Sequence, residues 1–190
     1  MTSVRSVGGL LLLAALAWPA SWQLHKIRQF RQQSLAPFVP SPHAVVEKML
    51  EAAAIKPGET VYDLGCGDGR ILITAVRKYR ARGVCVELSP DLVRKTREEI
   101  QRLGLEDRIQ VIEGNLLDAD LRQADVVTLY LLTSSNEILK PKLESSLRRG
   151  ARVVSHDFII PGWEAVRVEK VQASGRTHTI YVYTMPPKKH

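Results

Sequence analysis

Past Ser41 the hydrophobic positions follow two alternating rhythms. The stretch His43 to Ala54 (HAVVEKMLEAAA) places its apolar residues at helical spacing, and Lys56-Pro57-Gly58 interrupts it before a short apolar run, Thr60 to Leu64. The exchange then repeats. Helical patterns cover about 68–80, 91–102 and 137–147, and strand-like runs cover 83–88, 109–113, 124–132 and 151–155. The run 124–132 (ADVVTLYLL) is apolar almost throughout, which predicts a strand buried on both faces. Strands alternating with helices predict an α/β fold: a mostly parallel sheet with right-handed crossovers and helices on both faces. The rhythm breaks at the end, where 164–171 and 177–184 both read as strands. Ala173-Ser174-Gly175-Arg176 joins them, so they form a hairpin.

The first forty residues behave differently. Val7 to Leu24 (VGGLLLLAALAWPASWQL) is eighteen residues without a charge. At 1.5 Å per residue such a helix spans about 27 Å, close to the roughly 30 Å of a hydrocarbon core. Trp18 and Trp22 sit at its C-terminal end, where aromatic side chains favour the interface, and Lys26, Arg28 and Arg31 follow. These basic residues predict a single membrane-anchor helix with the following domain facing the cytoplasm, or the matrix if the protein is organellar. Two other readings stay open: a cleaved signal peptide ending near Ala15-Leu16-Ala17, and an amphipathic or buried helix. The expected organisation is an anchor with its basic flank over 1–36 and a folded domain over 37–190.

Composition narrows the function classes. A chain of 190 residues, 45% hydrophobic and 25% charged, suits one globular domain and excludes wholesale disorder or a polytopic membrane protein. The net charge of +7 is unevenly spread: residues 1–40 carry +4, leaving +3 for residues 41–190. A nearly neutral domain argues against a nucleic-acid partner. Cys66 and Cys85 form no Cys-x-x-Cys pair and no His spacing suits zinc, so a reducing compartment is expected and a metal site is not.

The chemistry concentrates at Val61-Tyr62-Asp63-Leu64-Gly65-Cys66-Gly67-Asp68-Gly69-Arg70, which closes a strand and opens a helix. That is where an α/β sheet binds nucleotides. Gly65, Gly67 and Gly69 permit a tight turn and close approach, and a tight turn without any ligand needs fewer glycines. Asp63 lies inside the strand before the turn, and Glu87 ends the next one. A carboxylate there accepts both ribose hydroxyls and repels a 2′-phosphate. The spacing is G-x-G-x-G, where a dinucleotide site has G-x-G-x-x-G. Asp63 and Asp68 would also oppose a diphosphate while favouring the ammonium and sulfonium of S-adenosylmethionine. The methyl donor therefore fits better than NAD.

At these motifs the chain resembles the class I S-adenosylmethionine-dependent methyltransferases over about Pro37 to Met185. The resemblance implies a Rossmann-like sheet of seven strands whose last two form the antiparallel hairpin. It also implies a cofactor site made of Asp63, Gly65, Cys66, Gly67, Asp68, Gly69, Glu87, Asn115 and Leu116. In Glu113-Gly114-Asn115-Leu116 the superfamily usually has an acid for the adenine amino group; Asn115 stands there and its side-chain carbonyl can accept the same bond. Pro37-Phe38-Val39-Pro40-Ser41, DLGCGDGRI at 63–71, Val86-Glu87-Leu88-Ser89-Pro90 and Pro161-Gly162-Trp163 resemble more narrowly the membrane-associated lysine methyltransferases of mitochondria. Those modify the adenine nucleotide translocase and the c-subunit of ATP synthase. The segment after the fourth strand and Ser155-His156-Asp157 differ from the animal proteins.

The acceptor is read from the fourth strand. Enzymes acting on adenine or glutamine amide nitrogens place Asn or Asp, Pro-Pro and an aromatic there, whereas this chain has Tyr130-Leu131-Leu132-Thr133. An apolar rim suits an aliphatic amine, and Phe38, Tyr130, Phe158 and Trp163 are expected to wall its channel, with His156 and Asp157 orienting it or taking a proton. The expected substrate is a lysine of a membrane protein, with the bilayer engaged through residues 7–24. RNA or a small molecule is the alternative acceptor, and a non-catalytic membrane-tethered scaffold is the reading from another class.

Overall fold

The computed structural model describes residues 38–189. The apolar run 7–24 and its flank lie outside the described residues, so the expected anchor helix does too. Among the described residues no helix is long and apolar enough to cross a membrane.

Helix α1 (His43–Ala52) buries Val45, Val46, Met49 and Leu50, a single stripe at helical spacing. Strand β1 (Thr60–Leu64) leads through the glycine turn into α2 (Arg70–Tyr79), whose Ile71, Leu72, Ala75 and Val76 repeat that stripe. After β2 (Arg82–Glu87), Ser89 caps α3 (Pro90–Arg102) by accepting the Leu92 N–H, with Pro90 in the first turn where its missing donor is not needed. Strands β3 (Ile109–Glu113) and β4 (Val126–Leu129), helix α4 (Thr133–Ser146) and strand β5 (Arg152–His156) complete the alternating part. A two-residue β6 (Trp163–Glu164) pairs with β9 (Lys188–Lys189) outside the main sheet. The hairpin is β7 (Arg167–Ala173) and β8 (Arg176–Thr184), closed by Ser174 and Gly175, both at positive φ. Two such residues give a turn whose twist matches the flanking strands.

The main sheet has seven strands in the order β3-β2-β1-β4-β5-β8-β7. The pairs from β3 through β5 are parallel, and β8 and β7 are antiparallel. Side chains alternate between two cores, as a period of two requires. Val61 and Val154 face the layer of α1 and α2, while Tyr62, Leu64 and Val153 face the layer of α4. Strand order reverses between β1 and β4, and a crevice at such a switch point is where open α/β sheets hold ligands.

The expected strand over 124–132 is shorter than its apolar run. Val126 to Leu129 pair with β1 and β5, Leu131 is buried without being in the sheet, and α4 begins at Thr133, earlier than its hydrophobic pattern predicts. Only four residues of the run are laddered, and its last residue, Leu132, is 43% exposed despite its apolar side chain.

Candidate active site

The cofactor loop is tied down from three directions. Gly65, Gly67 and Gly69 all have positive φ, a conformation that side chains rarely tolerate. The Glu87 carboxylate accepts the Gly67 N–H at 3.0 Å and the Ser89 N–H at 2.8 Å. The Thr96 hydroxyl donates to the Gly67 carbonyl at 2.7 Å. Cys66 is joined to Cys85 on β2 as a disulfide, with 5.3 Å between Cα atoms. The cysteine usage points instead to a reducing compartment, where disulfides are rare. The pairing arises because the loop folds back over β2, where the Gly65 N–H donates to the Val86 carbonyl.

Part of the space that the glycines leave is filled by the chain itself. A Cβ on Gly67 would lie 2.3 Å from the Phe38 ring, and one on Gly69 would lie 2.8 Å from the Thr96 methyl. Phe38 is therefore packed directly on the cofactor loop while about half of its surface stays exposed. Its neighbour Ser41 bridges two parts of the site: its carbonyl accepts from Arg70 at 2.8 Å, and its hydroxyl meets His156 Nδ1 at 3.0 Å.

Asp63 is almost wholly buried and its Oδ1 accepts from the Thr128 hydroxyl at 2.7 Å. Burial pushes its carboxyl up to about 7, with Thr128 opposing and the nearby Glu87 and Asp68 adding to the rise. Three carboxyl groups crowded at one loop form a donor set that a cationic ligand relieves, which fits S-adenosylmethionine. Asp68 plays a smaller part than the sequence suggests, because its carboxylate is forked onto Arg70 at 2.6–3.0 Å and its charge is largely answered there. The Asn115 side-chain carbonyl accepts the Leu117 N–H at 3.0 Å and caps a short 3-10 turn over Leu116–Asp118. One lone pair remains for the adenine amino group. Leu116 is buried below it.

At the ends of β4 and β5 a second group of side chains gathers. The Tyr130 ring stacks on His156 with centroids 3.8 Å apart, and Phe158 stands 6.1 Å from Tyr130. His156 is fully buried, and its Nε2 lies 2.8 Å from His178 Nδ1 on β8. Burial lowers the His156 imidazole to about 4, against the attraction of Asp157. Asp157 has φ +60°, and its Oδ1 accepts the Thr179 N–H at 2.8 Å. Its Oδ2 takes the Arg176 guanidinium at 2.7 Å and lies 3.1 Å from His178 Nδ1. Burial raises the Asp157 carboxyl, but the Thr179 N–H, Arg176 and His156 outweigh it and hold the group below its usual range. The residues missed from sequence here are His178, Arg176 and Ser41. His178 is in phase with the buried Ile180 and Val182 of β8, and that alternation was the available signal.

Trp163 does not join this group. It is buried, donates its indole N–H to Glu144 Oε1 at 3.0 Å and meets the Tyr183 ring edge-on at 5.6 Å. It belongs to the core cluster that includes Leu139 and Leu143 of α4 and Tyr183 of β8. A polar groove lined by Thr60, Asp120, Arg122, Gln123, Asp125 and Arg148 lies by the start of β1, at the opposite edge of the sheet from the glycine turn.

Comparison with known proteins agrees with this geometry. A family model described as the ANTKMT methyltransferase domain matches residues 63–167. A protein-lysine N-methyltransferase of Saccharolobus islandicus (strain REY15A) is 44% identical over 154 residues, covering 80% of this chain and 96% of that protein. The adenine nucleotide translocase lysine N-methyltransferase of Mus musculus is 34% identical over 158 residues, covering 82% of this chain and 69% of its own. Among solved structures, an RNA methyltransferase from Salinibacter ruber in complex with S-adenosyl-L-homocysteine is similar at a TM-score of 0.73 and 45% identity. It covers 78% of this chain and 94% of its own. The match that opens on Asp63 itself, and relatives aligned over most of their length, place the chain in the ANTKMT methyltransferase family: it is a class I enzyme that uses S-adenosylmethionine.

Proposed function

We propose that this methyltransferase modifies lysine side chains of a membrane protein. The observation that carries the lysine reading is the 44% identity to the archaeal protein-lysine N-methyltransferase over nearly all of that protein's length. A second lysine N-methyltransferase of Mus musculus, named for the c-subunit of ATP synthase and 31% identical over 157 residues, supports the same acceptor. So does the apolar lining of Tyr130 and Phe158.

S-adenosylmethionine supplies an already activated methyl group. The protein's task is to hold the loop, align the acceptor and exclude water. A lysine with pKa near 10.4 is neutral only about one part in 10³ at pH 7.4, so a dry aromatic mouth that favours the uncharged amine lowers the cost of reaction. Asp63 and Glu87 hold the donor; Tyr130 and Phe158 line the approach of the amine.

The membrane half of the proposal rests on the uncharged run 7–24 and the basic residues that follow it. An anchored domain facing the cytoplasm, or the matrix, would meet membrane-protein acceptors at roughly millimolar effective concentration, an advantage that a soluble substrate does not share. A second reading, methylation of RNA, is favoured by the name of the Salinibacter ruber structure. The domain's charge of only +3 over residues 41–190 weighs against it. Incubating the full-length protein with labelled methyl donor and membranes from its own source separates the readings. Label on lysine of an integral membrane protein is expected; label confined to RNA or to a metabolite would refute the acceptor and leave the reaction class standing.

A further inference from the structure

From the triangle formed by His156, His178 and Asp157, we infer a binding site for a first-row divalent transition metal ion at the ends of β5 and β8. The three facing atoms are His156 Nε2, His178 Nδ1 and Asp157 Oδ2. They are separated by 2.8, 3.1 and 3.2 Å. Metal bonds of about 2.1 Å to nitrogen and oxygen place neighbouring ligands of an octahedral face about 3.0 Å apart, and tetrahedral ligands about 3.4 Å apart. The observed edges match the octahedral face. Two imidazoles and one carboxylate on such a face suit Fe(II), Co(II), Ni(II) or Zn(II).

The surroundings hold each ligand in that orientation. Ser41 Oγ lies 3.0 Å from His156 Nδ1, so that nitrogen can carry the ring hydrogen and leave the Nε2 lone pair free. Before an ion binds, His178 Nδ1 carries the ring hydrogen, facing Asp157 Oδ2 and His156 Nε2, while His178 Nε2 is buried with no hydrogen-bond partner among the described residues and is open to take that hydrogen when an ion arrives. Moving the ring hydrogen there frees the Nδ1 lone pair without releasing a proton. The Thr179 N–H holds Asp157 Oδ1 and leaves Oδ2 turned into the triangle. Asp157 reaches this position through a left-handed backbone that side chains adopt at a cost, and such strain concentrates at functional positions. One feature opposes the ion: Arg176 also contacts Oδ2, at 2.7 Å. Its own side chain is 52% exposed, against 13% for Asp157, so it can swing out into solvent when an ion takes its place. A bound ion would clamp β5 to β8 and fix the imidazole on which Tyr130 stacks.

The test uses the full-length protein, freed of metal, titrated with Co(II), Ni(II) and Zn(II) by calorimetry, with the visible spectrum of the Co(II) form as a second readout. One equivalent per chain is expected. Asp157→Asn and His178→Gln should each weaken binding at least tenfold, and Arg176→Ala should tighten it severalfold. His43→Ala, which alters an exposed histidine on α1, should change nothing. Asp157→Asn keeps the side-chain shape, and Asn tolerates positive φ well, so this variant stays informative if His178→Gln does not fold. The inference is overturned if the wild type shows no saturable binding below millimolar metal, or if Asp157→Asn binds as tightly as the wild type. Because the readout is metal occupancy, it is independent of which acceptor the enzyme methylates.

Discussion

Glu87 and Gly67 are joined by a 3.0 Å hydrogen bond that ties the end of β2 to the middle of the loop after β1. The bond, with its counterpart to Ser89, holds the carboxylate still and leaves a lone pair on each oxygen for the ribose hydroxyls. Glu87→Gln keeps the shape but sets an NH2 group against one of the two backbone donors. Titration calorimetry should show S-adenosylmethionine binding weakened by about 1.5–3 kcal/mol, roughly 10- to 150-fold, with NADH not binding the wild type. An unchanged Kd for the variant would remove Glu87 from the site.

Asp63 gives a pH signature. Its carboxyl titrates near 7 in the folded protein and near 3.8 in a free chain. Between those values the unfolded state holds fewer protons than the folded one, so this residue's contribution lowers stability as pH rises from about 4 to about 7. Asp63→Asn abolishes that term and keeps an acceptor for Thr128. Urea unfolding at several pH values should show the variant gaining on the wild type across this interval and holding its lead above it. A stability difference that is flat with pH would contradict the raised pKa. A cationic ligand favours the ionised form, so cofactor binding below pH 7 should release protons, measurable by calorimetry in buffers of different ionisation enthalpy.

Trp163 separates packing from catalysis. Trp163→Phe loses the bond to Glu144 and part of the edge contact with Tyr183. Denaturant unfolding should report a loss of about 1–3 kcal/mol, as for other reductions of a buried side chain that also remove a hydrogen bond. Methyl transfer to a lysine peptide should keep its kcat/KM. A large fall in kcat with unchanged stability would return Trp163 to the acceptor channel.

Tyr130 tests the apolar mouth. Tyr130→Phe preserves the ring on His156 and loses only the 3.3 Å contact from Arg176 to the hydroxyl. Peptide methylation should fall less than threefold. Tyr130→Ala removes the wall, and kcat/KM should drop tenfold or more while the Kd for S-adenosylmethionine is unchanged, because alignment of the amine is lost and the cofactor loop is untouched. Equal effects of both substitutions would assign the role to the hydroxyl.

The sheet and the cofactor loop were legible because they are written in short-range patterns. The short apolar run Thr60–Leu64 and the glycines after it needed only neighbouring residues to interpret. The second cluster was not legible in the same way. His156 and His178 are 22 positions apart and meet only because β5 and β8 pair antiparallel with His156 opposite Ile180. No linear ligand spacing reveals that. Trp163 misled because a large aromatic after a strand end resembles a loop-borne wall, and its burial depends on where the following turn carries it. Arg70 was likewise invisible as a partner for Asp68, since the fork between them needs the helix to start between the two residues.

The position of β1 also governs how the chain assembles as it is synthesised. β1 is flanked by β2, which follows within twenty residues, and by β4, which pairs Val61 with Val126. Until residue 129 has been translated, β1 presents one open edge, and Asp63 lacks the Thr128 hydroxyl that answers its buried carboxyl. Translation runs at roughly 5–20 residues per second, so that unprotected half-sheet persists for several seconds on each ribosome. An open parallel edge with unpaired donors and acceptors is a template for another strand. Chaperone demand and aggregation during expression should therefore centre on nascent chains ending between residues 87 and 129, after β2 has paired and before the central strand acquires its second neighbour.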